Sequence, residues 1–157
     1  MRRLTVVVLL GVVALALLAA GGSAKPPPPV GVGFVVAESF MPGGGPFQAA
    51  GLAVDIGLMC PAGDTVDLGE KVAPNNGQTG QGVNFTSLKR FTCADGSGTF
   101  DVKLQVRLNK NGDNFNWTIT DGTGAYATLH GSGQGYGIYP TTPPPDVTDY
   151  YFGTVHL

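Results

Sequence analysis

The sequence predicts an all-β chain: an eight-stranded antiparallel barrel with one disulfide, or as the alternative a two-sheet β-sandwich. Three observations predict it. Glycine supplies 25 of the 157 residues and proline 12, which disfavours regular helix because glycine costs backbone entropy and proline blocks the ladder. Apolar and polar residues alternate with period two over several stretches, the mark of strands with one face in a core and one in water. Glycine-containing turn dipeptides separate those stretches at hairpin spacing.

The chain opens with Met1, Arg2 and Arg3, a positive segment ahead of the apolar run 4–20. Gly22 and Ala24 are the small residues a signal peptidase requires before its cut. Residues 1–24 therefore read as a Sec-type signal peptide, and the mature protein as secreted. The apolar run, about 17 residues, falls short of the ~20 that span a bilayer, so stable membrane insertion after cleavage is not expected. Lys25 and Pro26 to Pro29 form a stiff polyproline spacer over 25–29. The remaining 30–157 is the size of one domain with its own core.

The clearest strand is 100–108, where Phe100, Val102, Leu104, Val106 and Leu108 share one face and Asp101, Lys103, Gln105 and Arg107 the other. Segment 114–120 repeats the pattern, with Phe115, Trp117 and Ile119 inward. Asp95-Gly96, Asn111-Gly112 and Asp121-Gly122 supply the positive-φ residues of tight hairpins. They join strands predicted at 83–93, 99–109, 114–120 and 125–138 as antiparallel neighbours. Further strands are predicted at 31–40, 49–60, 65–72 and 148–157. Eight such strands close comfortably into a barrel, which also removes free edges. Gly131, Gly133, Gly135 and Gly137 recur at spacing two, leaving one strand face bare. Facing inward, it makes room for rings such as Phe115 and Trp117 or for a ligand, and filling by rings is the expected outcome.

Cys60 and Cys93 are the two cysteines of the chain, and in an oxidising compartment they pair as a disulfide. A metal site would need further ligands nearby, whereas His130 and His156 are far away in sequence. No metal and no cofactor are expected. Cleavage of the leader removes Arg2 and Arg3, leaving seven basic residues against eleven acidic, a net charge of −4. That mildly acidic chain lacks the basic cluster that nucleic acid or an anionic membrane demands.

The run from Trp117 to Gly133 reads Trp-x-Ile-x-x-Gly-Thr-Gly-x-Tyr-x-x-Leu-x-Gly-x-Gly. It resembles the pattern of small bacterial barrel proteins related to the allene oxide cyclase and dirigent superfamily. Gly96-Ser97-Gly98-Thr99-Phe100 is similar to a segment those families carry one hairpin earlier. The resemblance, over roughly 95–135, implies an eight-stranded antiparallel barrel, often a homo-oligomer, with an interior cavity in the better-known members. It permits a cyclase- or dirigent-like activity that works by confining a small substrate.

Gly131-Ser132-Gly133 lacks the spacing and the strand-to-helix turn of a nucleophile elbow, and His130 and Ser132 fall on the face opposite Leu129, toward solvent. Two polar residues sit on apolar faces: Glu38 with Val32, Phe34, Val36 and Phe40, and Lys89 with Phe85, Phe91 and Cys93. A buried Glu38 would need a raised pKa or a cation, supplied by Lys89 or Arg90. The commoner outcome is that Glu38 ends its strand and reaches water, and that a bulge turns Lys89 outward. Sequons at Asn84 and Asn116 are treated as coincidental. Glu38, Lys89, Trp117 and Tyr126 are the candidate ligand contacts, and no catalytic residue is assigned. The leading expectation is a secreted, non-catalytic binding or interaction module. The alternatives are a cyclase- or dirigent-like protein holding a small apolar molecule, and a structural cell-envelope protein whose 139–149 loop and Tyr150, Tyr151 and Phe152 meet a partner or close the core.

Overall fold

The computed structural model describes residues 27–72, 82–109, 112–141 and 145–157. The predicted leader, its cleavage point and the start of the proline spacer lie outside the described residues. Eight strands run β1 Val30–Glu38, β2 Gly44–Ala50, β3 Ala62–Val72, β4 Val83–Cys93, β5 Thr99–Asn109, β6 Gly112–Gly122, β7 His130–Ile138 and β8 Val147–His156. Each pairs antiparallel with the next, and β8 pairs with β1, so the sheet is a closed barrel. Closure satisfies every strand edge with a neighbour, which a sandwich of the same strands would leave exposed.

Alternation carries the inward face through the whole meander. Phe34, Phe91, Phe100, Leu104, Trp117, Tyr151 and Val155 are buried, while Lys103, Gln105, Asn116 and Thr118 face water. The interior is layered. At the end holding the β2–β3, β4–β5 and β6–β7 connections, Phe91 stacks on Phe100 with centroids 4.9 Å apart, and Phe47 meets Phe91 edge-on. Trp117 packs against Phe34 at 5.2 Å, and Phe34 against Tyr151 at 5.1 Å. Offset and edge-to-face geometries of this kind add to simple area burial. The Cys60–Cys93 disulfide closes the same end, with Cα atoms 6.0 Å apart.

The bare strand takes a ring at Gly135, while Gly131 faces Val155 and Ile119 and Gly137 faces carboxyls. A Cβ placed on Gly135 would strike the Phe115 ring, and one on Gly153 of β8 would strike Trp117. The Trp117 indole N–H donates to the backbone carbonyls of Gln134 and Phe152, at 3.2 and 3.3 Å. The ring therefore lies against Gly153 and bonds to the backbone of both β7 and β8.

Three expectations are corrected. The strand predicted at 49–60 is the end of β2 followed by a short helix, α1, at Leu52–Asp55. Gly51 and Gly57 flank it with φ of 110° and 71°, values that break a strand, and Ala53 supplies its buried side, with Met59 buried shortly after it. The strand predicted at 125–138 begins only at His130, because Gly124–Tyr126 forms a 3-10 turn that buries Tyr126. Asp121-Gly122 is not the tight turn: β6 runs through Gly122, and the reversal uses Gly124, with φ 60°.

Candidate functional site

Among the described residues, the other end of the barrel is open. The C-terminal halves of β1, β3, β5 and β7 and the N-terminal halves of β4, β6 and β8 surround a cavity of about 670 Å³, within the ~300–1,000 Å³ typical of small-molecule sites. Its wall is apolar, from Phe85 and Val83 on β4, Val106 and Leu108 on β5, Phe115 on β6 and Val147 on β8. Its floor, above the aromatic layer, is polar and ionic.

The floor is built from residues that alternation turns inward. Lys89 reaches across the barrel to Glu38, Nζ to Oε1 at 2.5 Å, and to Asp67 Oδ1 at 2.6 Å. Glu38 and Lys89 are about 95% buried, so Glu38 does not end its strand in water and Lys89 does not turn outward. The reason is mutual: each charge removes most of the cost of burying the other. Arg90, on the opposite face, is not part of this group; it lies outside and forks onto Asp101 at 2.7 and 2.8 Å.

Two further carboxyls complete the floor, and the polar-on-apolar-face signal that marks Glu38 also marks them. Asp113 falls in line with Phe115 and Trp117 on β6, and Asp149 with Val147 and Tyr151 on β8. Both pair in register with Gly137. A Cβ on that glycine would lie 2.6 and 2.7 Å from the two Asp113 oxygens and 2.8 Å from Asp149 Oδ1. The last glycine of the repeat thus opens a gap shared by two carboxyls, whereas Gly135 accommodates a ring.

Electrostatics follow from burial. Burial first, then the charges of Glu38 and Asp113, push Asp149 up to about 8, and it shares a hydrogen bond with Glu38. Burial also raises Glu38, against the opposing Lys89 charge. With Lys89 donating to Glu38, the shared proton belongs on Asp149. Burial works against the Lys89 ammonium, but the Glu38 charge and the bonds to Asp67 and Glu38 hold its pKa above the ordinary lysine value. The Tyr139 hydroxyl donates to Asp113 Oδ2 at 2.6 Å, and burial and that bond keep it a neutral phenol. Ser87 Oγ, Asp113 Oδ1 and the Tyr151 hydroxyl are buried with no hydrogen-bond partner. Among the described residues no three acidic, histidine or cysteine side chains group to hold a metal ion.

Of the four sequence-predicted contacts, Glu38 and Lys89 come together in the floor. Trp117 and Tyr126 do not join them. Trp117 lies in the aromatic layer beneath, committed to its carbonyl bonds. Tyr126 sits at the closed end, edge-on to Phe100, with its hydroxyl 2.8 Å from Ser97 Oγ. His130 and Ser132 face solvent. The aromatic run of β8 splits by alternation: Tyr151 is core, while Phe152 is exposed and Tyr150 stacks on the outward Tyr136 at 5.2 Å. The chain matches no family model, no curated protein and no solved structure.

Proposed function

We propose that this chain is a secreted, non-catalytic binding barrel that takes a small molecule with an apolar body into its open end. The observation that carries the reading is the cavity of about 670 Å³ with a wall of Val, Leu and Phe side chains above a polar floor. Apolar walls drive binding through water release, and a few fixed polar groups orient the guest. The Cys60–Cys93 disulfide is compatible with export. A closed eight-stranded barrel with an interior cavity also agrees with the resemblance to the allene oxide cyclase and dirigent superfamily.

The test is uptake of the uncharged dye N-phenyl-1-naphthylamine, whose fluorescence rises on leaving water. Wild-type protein is expected to bind it at a saturable site, and Val106→Trp, which fills the cavity from β5, to abolish the uptake. No uptake, or uptake indifferent to the filled cavity in a folded variant, overturns the reading.

A second reading, a cyclase-like protein, is favoured by the proton shared between Glu38 and Asp149 at the cavity floor. A carboxylic acid held neutral near pH 7 can protonate an epoxide or carbonyl oxygen of a confined substrate. Turnover of small apolar epoxides that disappears in Asp149→Asn would support it; binding without turnover leaves the non-catalytic reading.

A further inference from the structure

Resting on the binding reading above, we propose that the guest carries a single protonated amine, which docks between Asp113 and Asp149 over Gly137 with its apolar body toward the barrel mouth. Five carboxyls line the cavity, Glu38, Asp67, Asp113 and Asp149 in its floor and the exposed Glu70 on β3, against one ammonium, Lys89. Lys89 is spoken for, since both its ion pairs go to Glu38 and Asp67. The floor carboxyl left without a cation is therefore Asp113, beside Asp149, which keeps its proton at pH 7.

Two of the cavity-lining residues, Asp113 on β6 and Ser87 on β4, also hold buried polar atoms with no partner. Asp113 is about nine-tenths buried, and its Oδ1 has no partner although Oδ2 accepts from Tyr139. Ser87, 2% exposed on the cavity wall, has an unpartnered Oγ. Native proteins rarely leave buried polar atoms unpaired, because each such group carries a desolvation penalty. An ammonium has three donors and no acceptor, so it matches the free Asp113 oxygen, whereas a carboxylate guest would meet like charge. A metal ion fits less well, because no three acidic groups converge on one point among the described residues. The wall of Val83, Phe85, Val106 and Leu108 supplies the contact for an alkyl or aryl body.

Titration calorimetry of the leader-free, oxidised protein with n-octylamine, 1-octanol and octanoate at pH 7 separates the possibilities. The amine is expected to bind at least tenfold tighter than the alcohol, and octanoate weakest. Asp113→Asn is expected to bring the amine down to within threefold of the alcohol. Asp113→Ser, smaller and equally uncharged, provides the same comparison should the first variant fail to fold. Equal affinity for amine and alcohol in the wild-type protein would overturn the amine assignment and leave the binding reading standing. Failure of all three to bind the folded protein, together with failure of the neutral dye, would overturn both.

Discussion

Asp113 and Asp149 lie on β6 and β8, two strands apart, yet both carboxyls crowd the same point above Gly137 of the strand between them. The glycine supplies the space in which the two acids meet. A methyl at that point would stand 2.6–2.8 Å from three carboxylate oxygens, closer than carbon and oxygen tolerate. Gly137→Ala is therefore expected to cost about 1–3 kcal/mol, the range for overpacking, and to remove amine binding. Gly31 of β1 is the control: a Cβ there meets nothing within 4 Å. Gly31→Ala is expected to be neutral or to stabilise by up to about 1 kcal/mol through the unfolded chain. Equal urea midpoints for the two variants would refute the crowding at Gly137.

Stability should fall as pH rises from about 4 to 8. Asp149 titrates at its ordinary 3.8 when unfolded and at about 8 when folded, so over that window the folded state holds a proton the unfolded state has lost. The fold then loses stability with rising pH, by a few kcal/mol at most, and levels off above 8. Glu38, also raised, acts in the same direction. The other groups facing this pair are Asp67 on β3, Lys89 on β4, Asp113 on β6, Tyr139 beyond β7, and Tyr151 on β8. Lys89, Tyr139 and Tyr151 are raised from already basic values and do not titrate in the window. Asp149→Asn is expected to flatten the profile and to be more stable than wild type at pH 8. Urea unfolding at pH 5, 6.5 and 8 measures it; a wild-type stability that climbs across that range would rule the shared proton out.

Lys89 is the keystone of the floor. Lys89→Met would leave the buried Glu38 and the half-buried Asp67 without their cation, and removal of one partner from a buried ion pair costs about 3–5 kcal/mol. Glu38→Gln should cost less, about 1–3 kcal/mol, because Lys89 keeps Asp67 at 2.6 Å. The double change Glu38→Gln with Lys89→Met should cost less than the two single losses summed, since it removes both charges together. Thermal unfolding of the four proteins gives the coupling energy. Additive single costs would show that the 2.5 Å contact carries no energy of its own.

Much of this fold was legible because alternation is a local signal. The 83–93 and 99–109 strands match β4 and β5 at both ends, since Phe85 and Phe91 on one and Phe100, Val102 and Leu104 on the other mark the inward face. Segment 49–60 misled because four helical residues give no full period, and the positive φ of Gly51 and Gly57 cannot be read from composition. For the site, Glu38 and Lys89 were visible as polar residues on apolar faces, although burial looked the rarer outcome for each alone. Their pairing is a register effect across the barrel, which no local pattern encodes. Asp113 and Asp149 carried the same alternation signal, but their meeting depends on β7 setting Gly137 between them. Tyr126 was misplaced with its turn: once Gly124 reverses the chain, the ring goes to the closed end.

The disulfide acts at the end remote from the cavity, which separates its effect on stability from any effect on binding. Cys60 follows α1, Cys93 ends β4, and both are buried. The bond closes a loop with a sequence separation of 33, which in the chain-entropy model is worth about 3–4 kcal/mol by restricting the unfolded chain. A Cys60→Ala, Cys93→Ala double variant should accordingly melt lower by on the order of 10 °C or more. The Phe47, Phe91 and Phe100 cluster beside it still holds the strands together, so the variant should fold at 20 °C and bind the neutral dye with wild-type affinity. A loss under about 1 kcal/mol would mean that the unfolded chain is already compact around this hairpin. Lost dye binding in a folded variant would mean instead that the closed end governs the shape of the mouth.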